Sequence, residues 1–131
     1  MDPITPSPIV TWGARLTGLG LILLGLHVFA PDLAAWGYGV EPLDANGKAY
    51  LVATGIRDLA LGLMTLYLLR NFRASLGMFF LFMLVIPLAD TLIVLQHGTA
   101  AWKILPHAIG IVAIAVIAFC ALKELRSPSL N

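Results

Sequence analysis

Residues 50–69 read YLVATGIRDLALGLMTLYLL, a run in which only Arg57 and Asp58 carry charge. Twenty such residues wound as a helix are long enough to cross a bilayer. An ionised pair at that depth is expensive unless the protein interior supplies partners, so it marks a functional site by default. The stretch therefore sets two expectations, a transmembrane helix and a polar site built on Arg57-Asp58.

The rest of the chain agrees with the first. Of 131 residues, 60% are hydrophobic and 11% charged, and the mean hydropathy is +0.92, a composition suited to lipid rather than water. A net charge of +1 gives no reason to invoke nucleic acid as a partner. Four apolar segments follow one another, from about Thr11 to Ala30, Ala49 to Leu69, Ser75 to Leu95 and Leu105 to Ala121. The expected fold is all-α, a single-domain integral membrane four-helix bundle. Pro31 closes the first segment, Asp44-Ala45-Asn46-Gly47 reads as a turn before the second, and Arg70-Asn71-Phe72-Arg73 is a tight basic turn that makes segments two and three an antiparallel hairpin. The long first loop, residues 31–48, opens with Pro31 and Asp32 and predicts a short interfacial helix around Trp36, broken by Gly37-Tyr38-Gly39.

Val28-Phe29-Ala30 resembles a signal-peptide cleavage site, but Asp2 and the prolines ahead of the segment are wrong for a signal n-region, and the segment is read as a retained helix. Cys120, the single cysteine, supports neither a disulfide framework nor a metal motif and reads as a small packing residue. Arg70, Arg73, Lys123 and Arg126 face one side against Lys48 and Lys103 on the other, which predicts cytoplasmic termini in a bacterial inner membrane or the endoplasmic reticulum.

That topology permits a count of depth. At ~1.5 Å per residue from the outer helix ends, Arg57 and Asp58 lie roughly 12 Å in, Asp90 roughly 8 Å, His27 roughly 5 Å and His107 a few ångströms. Each helix thus brings an ionisable group to one layer, while the inner half has almost none besides Arg15. Tyr50, Thr54, Arg57 and Asp58 share a helical stripe, as do Pro87, Asp90 and Thr91. Pro87 frees the carbonyl of Met83 and predicts a bend before Asp90, and Pro106 suits the first turn of the last helix. The glycines at 18, 20, 25, 55, 62 and 110 allow close helix contact or leave room for a ligand. Neighbours on a helix do not face each other, so Arg57 is expected to seek Asp90, and Asp58 to seek His107 or a ligand. A carboxylate held by arginine serves as a base and a desolvated one without a cation as an acid, so the set has the elements of general acid–base catalysis.

Plainer readings exist for each feature. Arg57, Asp58 and Asp90 could be an ion network fixing helix register, and His27 could be a packing or interfacial residue. His97 reads as a solvated loop residue, and the spacing of the three histidines does not support haem ligation. Trp36, Tyr38, Tyr50 and Trp102 form an aromatic belt first, and the rim or lid of a site second.

Gly55-Ile56-Arg57-Asp58-Leu59-Ala60-Leu61-Gly62, followed by Asp90 and His107, resembles a family of small four-span membrane proteins of bacteria and filamentous fungi that is catalogued as a domain of unknown function. Fungal members in aurovertin- and citreoviridin-type pathways are regarded as epoxide hydrolases or cyclases. The resemblance implies a membrane-embedded enzyme that opens an apolar epoxide without metal or organic cofactor. Its Asp-Arg-Asp set is similar to that of the soluble limonene-type epoxide hydrolases on an unrelated fold. In that reading Asp90 held by Arg57 is the base, Asp58 the acid and His107 an orienter, with the two aspartates exchangeable. His27, Tyr50, Thr54, Thr91, Trp36 and Trp102 would contact substrate entering from the lipid. The alternatives are a small proton-coupled transporter working as a homodimer, with Asp58 or Asp90 as its membrane carboxylate, and a non-catalytic assembly subunit.

Overall fold

A computed structural model describes residues 7–32, 44–96 and 101–126 of the chain. Of the predicted interfacial helix, Pro31 and Asp32 are described and helical; the rest, with Trp36 and Tyr38, and the loop residue His97 lie outside the described residues. Among the described residues, five α-helices make four spans. Helix α1 (Pro8–Gly25) continues as a 3-10 turn, Leu26–Phe29; α2 is Ala45–Asn71; a 3-10 turn, Arg73–Ser75, leads into α3 (Leu76–Met83) and α4 (Val85–Gln96); α5 is Ala101–Arg126. There is no strand among the described residues. Pro8–Phe29, Ala45–Asn71, Arg73–Gln96 and Trp102–Arg126 are long and apolar enough to span a membrane, and by that length and composition the molecule is a multi-pass membrane protein.

The helix ends follow from local chemistry, and they correct the sequence boundaries. Pro8 stands in the first turn of α1, where its missing N–H and fixed φ are suited to helix initiation. Asp44-Ala45-Asn46-Gly47 is a helix start rather than a turn, because the Asp44 carboxylate accepts the Gly47 N–H at 2.7 Å and caps α2. Arg70 and Asn71 still belong to α2, so the turn is shorter and later than read. Helix α5 begins at Ala101, which puts Pro106 inside the helix and not in its first turn, where it contributes no donor to the helical ladder. The third span breaks at Leu84, three residues before Pro87, where the ring removes the bond to Met83.

The spans pack as two tight pairs, α1 on α2 and α5 on α3 and α4; the sequential hairpin of spans two and three is not the main packing unit. Glycines bring α1 against α2: a Cβ on Gly62 would sit 2.6 Å from the Gly18 carbonyl oxygen, and one on Gly25 2.9 Å from that of Gly55. Such backbone contact drives association in a solvent where apolar surface gains nothing by burial. At the end of the bundle where α1 begins, the pairs also join. A Cβ on Gly13 of α1 would meet Ile117 of α5 at 2.7 Å, and within the second pair one on Gly77 would meet Leu122 at 2.8 Å. The buried core lies there, with Val10, Ala14, Leu76, Phe80 and Ile117. Cys120 packs against that core, as its sequence reading has it. Toward the other end the pairs separate around a cavity. Large apolar side chains such as Leu16, Leu23, Phe82 and Phe119 cover the outside, as a lipid-facing surface requires.

Candidate functional site

The GIRD segment builds the site from two opposed requirements, close approach and charge. Gly55 comes first: any side chain there would collide with Val28 and reach within 3.0 Å of His27 Nε2. Without a side chain the 3-10 turn after α1 settles onto α2, and His27 Nε2 donates to the Leu51 carbonyl at 3.2 Å. Two residues further along, Arg57 turns into the space between the pairs. Its Nε donates to Asp58 Oδ1 at 2.9 Å and its Nη2 to Asp90 Oδ2 at 3.3 Å. One guanidinium therefore joins α2 to α4 across a separation that the helix backbones do not close.

This corrects the expected pairing. Arg57 does reach Asp90, but it holds its neighbour Asp58 as well and more closely, even though adjacent positions diverge on a helix. The reason is the side chain. Arginine's long stem curls back over its own backbone, and its planar fork presents donors in two directions. Each carboxylate commits one oxygen to Arg57 and keeps the other outside the ion pair. Asp58 and Asp90 are nearly buried, whereas Arg57 is about one-third exposed toward the cavity.

The cavity has a volume of about 620 Å³, within the range of small-molecule sites. Arg57, Asp58, Asp90, His27 and His107 all line it, so each span brings an ionisable group to one place. Four further expected residues do not line it. Tyr50 and Trp102 are exposed on the outside of the bundle. Thr54 gives its hydroxyl to the Leu51 carbonyl at 2.8 Å, and Thr91 gives its own to the Pro87 carbonyl at 2.6 Å. These two hydroxyls serve helix geometry. Among the described residues no group of three His, Cys, Asp or Glu side chains is arranged to hold a metal ion.

The sequence reading missed two things. One is the apolar depth of the cavity, lined by Leu21, Leu61, Met83 and Ile114 beyond the charged set, with Gly110 on its wall and nothing within 4 Å of a Cβ placed there. The other is a polar clasp at the opposite end. Arg73 donates to Thr11 Oγ1 at 3.1 Å and meets Glu124 at 3.5 Å, while Glu124 accepts the Ser7 N–H at 2.9 Å. Arg73 was legible only as a loop cation, because Glu124 lies beyond the predicted end of the last helix.

Neither a curated protein nor a solved structure matches the chain. Residues 13–121, which hold most of the four spans and every described member of the charged set, match a family model, and the chain belongs to that family, described as a domain of unknown function, DUF4267.

Proposed function

We propose that the protein opens apolar epoxides inside the membrane by general acid–base catalysis, giving a diol with water or a cyclic ether with an internal hydroxyl. The observation that carries this reading is one guanidinium shared by two carboxylates in the wall of an otherwise apolar cavity. In this reading one of Asp58 and Asp90 acts as the carboxylate and the other as the carboxylic acid, with Arg57 balancing the single negative charge. That is the complement an epoxide needs. The carboxylate takes a proton from the attacking water or hydroxyl as the new C–O bond forms, and the acid protonates the oxygen released as the ring C–O bond breaks. After one turnover the proton has moved from one aspartate to the other, and the two exchange roles. His107 lines the same cavity and would orient the nucleophile.

A transport path would have to continue through the bundle, and the buried core of Val10, Ala14, Leu76, Phe80 and Ile117 closes the far end. That counts against the transporter reading. The excess of Arg70, Arg73, Lys123 and Arg126 over Lys48 and Lys103 supports a cytoplasmic closed end with both termini on that side.

The test is single-turnover opening of a panel of apolar epoxides by purified protein in ¹⁸O-enriched water. The label should enter the diol in the first turnover and leave both aspartates unlabelled. Label in Asp58 or Asp90 would make that residue a covalent nucleophile, and no opening of any epoxide would remove the activity.

A further inference from the structure

The charged layer divides the cavity unequally. From His27 back to Leu21, from Asp90 back to Met83 and from His107 forward to Ile114, the lining turns apolar over six or seven residues, roughly 10 Å at the helical rise per residue. All three stretches run the same way, toward the end where Gly13 meets Ile117 and Gly77 meets Leu122. The deeper part of the cavity is therefore a blind apolar sleeve with the charges at its entrance. Leu24 and Leu26 belong both to the cavity wall and to the exposed outer surface, which opens the mouth sideways to lipid. On the other side of the charged layer the described cavity wall is shorter, with Ala30, Leu51 and Pro106.

A substrate fitting this outline has its reactive oxygen at the charged layer and its longer apolar tail on the Ile114 side. We infer, resting on the epoxide-opening reading above, that the substrates are single-chain amphiphilic epoxides entering from the bilayer. The oxirane stops at Arg57, Asp58 and Asp90, and the tail lies along the sleeve toward Ile114. Gly110 sets the tail width. Nothing approaches within 4 Å of a Cβ placed at this position, although other glycines of the bundle are in backbone contact. The open space at 110 is ligand space rather than helix-packing space. A side chain added there narrows the sleeve without displacing a neighbouring helix.

The probe is an unbranched 1,2-epoxyalkane carrying a diazirine at its tail end, photolysed with the purified protein in lipid nanodiscs and mapped by peptide mass spectrometry. Adducts should fall on peptides containing Leu61, Met83 and Ile114. Adducts on outward residues such as Leu16 or Phe119 would overturn the placement. In parallel, the long-chain to short-chain ratio of binding is measured for the parent, Gly110→Ala and Gly110→Leu, with Gly110→Ala as the variant that keeps helix packing intact. The ratio should fall in that order, by about tenfold for leucine, since each methylene in a tight pocket is worth that much. An unchanged ratio in both variants would overturn the role of Gly110. Cross-linking needs no turnover, which separates the two readings. Deep adducts with no epoxide opened sustain the sleeve and remove the hydrolase; opening with only outward adducts does the reverse.

Discussion

At the residue scale, the central fact is that Arg57 serves two carboxylates. Helix geometry makes Arg57 and Asp58 poor partners, and that reasoning holds for short side chains. Arginine escapes it by length and by the fork of its guanidinium, which spans Asp58 Oδ1 and Asp90 Oδ2 together. Lysine is a point charge on a flexible stem and satisfies one carboxylate at a time. Arg57→Lys should lower the unfolding free energy in detergent by about 1–3 kcal/mol, between the values for exposed and buried pairs. Thermal unfolding checks this, and an unchanged midpoint would mean that the bridge carries no strain-bearing load between α2 and α4. The convergence of Arg57, Asp58, Asp90, His27 and His107 was legible in the sequence because antiparallel helices convert residue number into depth. The roles of Thr54 and Thr91 were not legible, because a shared face does not reveal that a hydroxyl bonds its own helix backbone.

At the scale of the elements, two kinds of glycine look identical in sequence and differ completely in the bundle. Gly18 and Gly62 are in backbone contact, as are Gly25 and Gly55, with members seven positions apart on each helix, so the two antiparallel helices match over two turns. Gly110 faces the cavity. Gly62→Ala should cost about 1–3 kcal/mol by forcing α1 from α2, whereas Gly110→Ala should stay within about 0.5 kcal/mol of the parent. Equal losses in the two variants, measured by chemical unfolding in detergent, would contradict this division. Helix identity was plain from hydropathy and length. Helix ends were less so: Asp44 looked like a turn residue because capping and turn chemistry use the same side chains. The Leu84 break followed from Pro87, but Pro106 lies inside α5 because the helix extends to Ala101, a start that the apolar run does not signal.

At the scale of the whole molecule, the described residues make a bundle closed at one end and open at the other. The closed end combines the glycine contacts at 13 and 77, the buried core and the clasp in which Arg73 and Glu124 tie the start of α1, the turn before α3 and the end of α5. The open end has the cavity, spanned by Arg57. Arg73→Ala and Glu124→Ala should each destabilise the protein, with a double-mutant coupling of about 0.5–1 kcal/mol, because both side chains are largely shielded. Additive losses would show the clasp to be an incidental contact. The same variants should leave epoxide opening intact, since they lie at the far end from Asp58 and Asp90. Chemistry at the open end is tested most directly by turnover of an apolar epoxide by the parent, Asp58→Asn, Asp90→Asn and the double variant, each purified and folded. Each single change should reduce turnover by about 10²–10⁴, the usual worth of a positioned acid or base, and the double change should reduce it little further because the two act as a unit. Parental turnover in either single variant would contradict the assignment of the chemistry to the carboxylates that Arg57 holds.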